Sequence, residues 1–268
     1  MRLKDKVALV TGAASGFGAG IAERFAAEGA KVAIVDINAE GARAKAAEIG
    51  KNAVAVVCDL TRPDEVDRGV KETLAAFGGL DIVVNNAGWT HRNKPLLEVT
   101  EAEFDRIYAI NVKAIFLMTQ RATPVLRDRG GGSFINIGST AGVRPRPGLS
   151  WYNGSKGFVN LVSKSLAVEL APWKIRVNCI APVLGQTGLT EDFIGGPATP
   201  ELMAKFLSTI PLGRMSKPSD IAAACVYLAS DEAEFITGVI LPVDGGRTIL
   251  GETGAGRLLG ASSGLIDR

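Results

Sequence analysis

Six short apolar runs, Val7 to Val10, Val32 to Val35, Val54 to Val57, Ile82 to Val84, Phe134 to Ile137 and Ile175 to Ile180, are continuous rather than alternating. A strand with one wet face alternates apolar with polar residues. An unbroken run therefore implies burial on both faces, the situation of parallel strands with helices on either side. Helical stretches lie between the runs. Phe17 to Glu28 stops at Gly29, Ala39 to Ile49 stops at Gly50, and Pro63 to Phe77 opens on proline and stops at Gly78. Proline in a first turn and glycine just past the end are the punctuation of helices. The order predicts repeated βαβ units in a doubly wound α/β sheet.

With 268 residues and 47% hydrophobic composition, the chain has material for one full-sized core. We expect one domain over 1–250, with a lid-like insertion at about 183–215 holding one short helix near Glu201 to Leu207, and a glycine-rich tail over 251–268 that is poorly ordered or docks on a partner subunit. The 30 basic residues nearly cancel the 28 acidic ones, which argues against nucleic acid or an anionic membrane surface as a partner. Cys58, Cys179 and Cys225 are far apart and His91 is the lone histidine, so neither a disulfide framework nor a metal site is expected. The apolar run near the N-terminus is too short for a signal-peptide core and no stretch approaches a membrane span; the expected location is cytoplasmic.

The first predicted strand runs into Thr11-Gly12-Ala13-Ala14-Ser15-Gly16-Phe17-Gly18, where a helix begins. Glycines in such a turn let the backbone approach a pyrophosphate, and the helix N-terminus presents free N–H groups to its charge. The second strand ends at Asp36, placed to accept hydrogen bonds from the adenosine ribose hydroxyls. That selects NAD over its 2′-phosphorylated analogue, since neither Ser15 nor Ile37 supplies a compensating cation. Strand, glycine turn, helix and acid together make the sheet Rossmann-like, with about seven strands and helices on both faces.

Tyr152 and Lys156 stand four residues apart in a helical stretch, Trp151 to Leu170, and project from one face. A lysine cation there can lower the phenol pKa, and a shift of roughly three units, about 4 kcal/mol, is what base action near neutrality requires. Ser139 follows the fifth predicted strand, at the strand end where sites of open α/β folds form. Asn111 sits among apolar residues of another helical stretch, Ile107 to Met118, as a specific partner or a satisfied core amide.

TGAASGFG, Asp36, the NNAG of Asn85 to Gly88, Asn111, Ser139, the YNGSK of Tyr152 to Lys156, Pro182 and Thr187 occur in the order and spacing of the short-chain dehydrogenase/reductase family, which residues 3 to 247 resemble. The resemblance implies that Tyr152 donates and accepts the proton and that Ser139 polarises the substrate oxygen. It makes Lys156 the group that binds the nicotinamide ribose and lowers the tyrosine pKa, and has Asn111 hold a proton-relay water. It also implies cofactor contacts from Gly12, Ser15, Gly16, Phe17, Gly18, Asp36, Ile37, Asp59, Leu60, Asn86, Ala87, Gly88, Pro182 and Thr187, and a homotetramer. Val183 departs from the family's usual glycine after the late proline, and a β-branched residue tolerates positive φ badly.

The activity these readings point to is hydride transfer between NAD(H) and a secondary alcohol or ketone. The alternatives are a 3-oxoacyl thioester reductase, a glucose-type 1-dehydrogenase, and a dinucleotide-binding protein without chemistry. The last has no use for Tyr152, Lys156, Ser139 and Asn111 together. An epimerase or dehydratase on this scaffold usually carries a longer substrate domain than this chain allows. Two loops after strand ends, carrying Trp89 and Arg92, and Arg144, Arg146 and Leu149, suggest a small-molecule substrate with an apolar body and an anionic group.

Overall fold

The structure is a computed structural model, and it describes residues 1–249; the 251–268 tail lies outside the described residues. The chain forms β1 (Val7–Thr11), α1 (Gly16–Ala27), β2 (Lys31–Asp36), α2 (Ala39–Ile49), β3 (Ala53–Val57), α3 (Pro63–Phe77) and β4 (Ile82–Asn85). Helices α4 (Glu101–Tyr108) and α5 (Ala114–Asp128) follow, then β5 (Gly132–Ile137), α6 (Ser150–Leu170) and β6 (Ile175–Pro182). Helices α7 (Thr190–Ile194), α8 (Pro200–Leu207) and α9 (Pro218–Ala229) precede β7 (Ile240–Val243). All seven strands are parallel, in the order β3-β2-β1-β4-β5-β6-β7.

The unbroken apolar runs have a direct structural reason. Successive side chains of a strand point to opposite faces, and here each face has its own core. Ala8, Val10, Val32, Ile34, Ile82, Val84 and Ile135 join one cluster with Ile21 and Phe25 of α1 and Ile221 and Val226 of α9. Leu9, Ala33, Val35, Val83 and Phe134 join the other, with Val66 and Val70 of α3, Met118 and Leu126 of α5 and Ala167 of α6.

Strand order reverses between β1 and β4, and a crevice opens there at the carboxyl ends of the strands. A buried polar relay ties the strands beside it to α6: Asn85 Nδ2 donates to Asn136 Oδ1 (2.8 Å), and Asn136 Nδ2 donates to Ser163 Oγ (2.9 Å).

Three local details differ from the sequence reading. The stretch around Asn111 is not one regular helix, because a π-helical turn at Ala109–Lys113 separates α4 from α5. The insertion holds two helices rather than one; α7, only 5 residues long, gives too little periodicity to be read. Together they build a small core of Val183, Leu184, Phe206 and Ile210, against which Phe193 and Met215 pack. Val183 does not need a left-handed backbone: it is absent from the positive-φ positions, and its N–H extends the sheet by donating to Val243 O (3.4 Å).

Candidate active site

The glycine turn is shaped by two kinds of constraint. Gly12 and Gly16 adopt φ of +61° and +56°, where side chains are strained. Gly18 is needed for space, since a Cβ there would run into the Gly12 carbonyl and the Asn86 amide. Asn86 Nδ2 donates to Thr11 O (2.8 Å) and Gly12 O (3.1 Å), and Thr11 Oγ1 accepts from the N–H groups of Asn86 (2.9 Å) and Ala87 (3.0 Å). The β4 end thus braces the turn. Helix α1 has no side-chain cap from Ser15 and no acid in its first turn, so its N-terminal N–H groups are left for an anion. Asp36 Oδ2 accepts from Ala14 N (3.0 Å) and Oδ1 from Asn38 N (2.9 Å), which fixes the carboxylate at the turn's edge. A turn without side-chain bulk, an uncapped helix start and a held acid fit a dinucleotide.

The turn opens into a cleft of about 520 Å³ bordered by Gly12, Ser15, Gly16, Phe17, Asp36, Ile37, Asn86, Ala87, Gly88, Trp89, Ser139, Tyr152, Lys156, Pro182 and Thr187. Asp59 and Leu60 do not border it. Asp59 Oδ1 accepts from the backbone and hydroxyl of Thr61 (2.9 and 2.8 Å), and Leu60 packs on the core.

Tyr152 is buried, and Ser139, whose Oγ accepts from Ala141 N (3.1 Å), borders the same cleft. Burial pushes the Tyr152 phenol pKa up, and the neighbouring Ser139 side chain pulls it back in part. Phe193 of α7 meets the Tyr152 ring edge-on at 5.0 Å between centroids. Lys156 is buried too, its Nζ donating to Ile137 O (2.8 Å) and lying 5.9 Å from the Tyr152 ring centroid. Desolvation brings its pKa down to about 8.

Asn111, in the π turn, is engaged by protein. Its Oδ1 accepts from Trp89 N (2.8 Å), and its Nδ2 donates to Trp89 O (3.0 Å) and Ser155 Oγ (2.9 Å). In this structure it holds the loop after β4 against α6, and so positions Trp89, over whose ring Arg106 lies at 4.3 Å.

Of the residues read as substrate contacts, Trp89, Arg144 and Arg146 border the cleft. Arg92 does not; its Nε donates to Gly195 O (3.0 Å). Leu149 is fully buried beneath Tyr152 and Ala141. Sequence reasoning missed Arg247, Phe193, Phe206 and Leu184, which also border the cleft. None sits at a motif spacing, and each arrives through the packing of the insertion or the turn after β7.

A family model described as enoyl-(acyl carrier protein) reductase matches residues 12–248. The chain belongs to the short-chain dehydrogenase/reductase family, a class of oxidoreductases. It is 49% identical to a 4-formylbenzenesulfonate dehydrogenase of Comamonas testosteroni, over 93% of this chain and 100% of that one. Identity is 38% to a 3-oxoacyl-(acyl-carrier-protein) reductase of Thermotoga maritima, over 93% and 100%. A crystal structure of a 3-ketoacyl-(acyl-carrier-protein) reductase from Brucella melitensis, complexed with NADH, superposes with a TM-score of 0.87 at 47% identity, over 92% of this chain and 99% of that one.

Proposed function

We propose that the protein interconverts an alcohol and a carbonyl compound with NAD(H) as redox partner and Tyr152 as the proton donor and acceptor. The convergence of Tyr152, Ser139 and Lys156 on the cleft into which the glycine turn opens is the observation that carries this reading. When bound, the nicotinamide gives a hydride to the carbonyl carbon or takes one from the carbinol carbon. Ser139 holds the substrate oxygen; Tyr152 protonates that oxygen in reduction and removes its proton in oxidation. Lys156 sets the charge beside the phenol and reaches toward the nicotinamide ribose. Asp36 favours NAD, because a 2′-phosphate would face a carboxylate with no cation from Ser15 or Ile37. Action in the cytoplasm belongs to the same proposal; no helix among the described residues is long and apolar enough to cross a membrane.

The name of the Comamonas relative specifies a formyl group on a benzenesulfonate, which supports an aromatic skeleton for the reacting carbon. A second reading, reduction of a 3-oxoacyl thioester, is supported by the names of the Brucella and Thermotoga proteins. Purified protein is assayed by NADH absorbance with aryl carbinols, polyols and glucose plus NAD or NADP, and with a 3-oxoacyl thioester plus NADH. The expected result is turnover of an aryl carbinol with at least about tenfold preference for NAD, and loss of about 100-fold or more of it in Tyr152→Phe with NADH binding retained. Equal efficiency with NADP refutes the cofactor assignment. A Tyr152→Phe variant keeping more than about a tenth of the activity refutes the proton role.

A further inference from the structure

Three guanidinium groups converge on the catalytic cleft. Arg144 and Arg146 arrive on the loop between β5 and α6, and Arg247 arrives from the turn after β7; all three border the same space as Ser139 and Tyr152. Arg144 Nη1 donates to Arg247 O (2.7 Å), which ties the two segments together. The Arg146 guanidinium carbon lies over the Phe206 ring, 3.9 Å from its centroid, and the Arg146 loop is held by Asn153 Nδ2 donating to Arg146 O (2.8 Å).

Arg146 and Arg247 are electrostatically costly where they stand. Among the described residues no carboxylate pairs with Arg146 or Arg247. Burial and the charge of Arg247 bring the pKa of Arg146 down to about 10, and burial with the charge of Arg144 lowers that of Arg247. Asp244 offsets part of the latter, but its two oxygens are taken by Gly246 and by the N–H and hydroxyl of Thr248. Like charges gathered in a half-buried cleft are stabilised by an oxyanion, and the planar fork of arginine suits one bidentately.

Two aromatic side chains, Phe193 and Phe206, border the same cleft. Phe193 touches the Tyr152 ring, Phe206 carries Arg146, and both belong to the small core of the insertion.

We propose that Arg146, flanked by Arg144 and Arg247, seats a carboxylate or sulfonate of the substrate while Phe193 and Phe206 cover its apolar or aromatic body. This rests on the dehydrogenase reading for what happens at the far end of the substrate, but the seat itself is testable without turnover.

Benzenesulfonate and its neutral analogue benzenesulfonamide are titrated calorimetrically into the protein saturated with NADH. The expected result is at least about tenfold tighter binding of the sulfonate. Arg146→Ala and, separately, Arg247→Ala should remove that difference, Arg146→Lys should restore part of it, and Arg92→Ala should leave it intact. Unchanged NADH affinity in each variant shows that the cleft still forms. Equal affinity for the two probes, binding of neither, or sulfonate binding that survives both arginine substitutions overturns the proposal. Loss of NADH affinity in the arginine variants with sulfonate binding unchanged also overturns it, since the cations would then serve the cofactor. Arginine-dependent sulfonate binding supports the seat even if no alcohol is oxidised, a result that counts against the dehydrogenase reading alone.

Discussion

Burial acts on Tyr152 and Lys156 toward the neutral form of each, raising the phenol and lowering the amine. The expected depression of the tyrosine by the lysine is thus opposed by the packing that brings the pair together, and Ser139 is the neighbour whose side chain works in the useful direction. The lysine carries a stability consequence with a definite sign. Its folded pKa of about 8 lies below its ordinary 10.5, so between those values the unfolded chain holds a proton that the folded chain has released. Stability gained from this group rises with pH across that window, and below it the penalty is complete. The full shift is on the order of 3 kcal/mol, from which about 1 kcal/mol is subtracted for the hydrogen bond to Ile137 O. Lys156→Met, without nucleotide, is expected to melt at or above the parent at pH 7, with the advantage shrinking toward pH 10, while losing turnover. Thermal denaturation across pH measures it. A variant melting several degrees lower at pH 7 would mean that the buried lysine contributes net stability there.

At the scale of elements, the site is held by two distortions of regular structure. One is the β1–α1 turn, where Gly12 and Gly16 take positive φ and Gly18 lets helix and turn touch. Gly18→Ala would force the Gly12 carbonyl or Asn86 to move; overpacking of this kind costs about 1–3 kcal/mol. Because the displaced atoms shape the pyrophosphate cradle, NADH affinity should fall by about tenfold or more while the melting temperature drops by a few degrees. Fluorescence titration with NADH checks this, and unaltered affinity would show that the cradle tolerates the methyl. The second distortion is the π turn at Ala109–Lys113, which aims the Asn111 amide at Trp89 and Ser155 instead of leaving it on the regular helical path. Turns of this type concentrate at functional sites because one extra residue re-aims a side chain.

On the scale of the whole molecule, apolar side chains remain on the outer faces of α5 and α6: Phe116, Phe158, Leu161 and Val168 are all exposed. We propose that these faces are covered in a homotetramer, the assembly implied by the family resemblance. Light scattering at micromolar concentration should give four times the 28.0 kDa chain mass. Leu161→Glu should shift the population to smaller species, since a carboxylate in an apolar interface is desolvated without a partner. A monomer in the parent protein would refute this assembly.

The architecture was legible in the residues because strands buried on both faces must be apolar throughout and helices must be punctuated. The runs and glycine stops located six strands and the early helices to within a residue or two. The glycine turn, Asp36, Ser139, Tyr152 and Lys156 were legible as well, since each lies at a fixed distance from the end of a strand or along one helix face. The substrate end of the cleft was not. Arg92 and Arg146 look alike in a loop sequence, yet one bonds a backbone carbonyl at the surface and the other is stacked over Phe206. Arg247 lies about a hundred residues from the loop it meets, and α7 is too short to announce itself. Local periodicity and spacing determine which elements form and what they carry at their ends. Which long side chains from separate loops share one cleft is set by packing between segments remote in the chain, which no local pattern encodes.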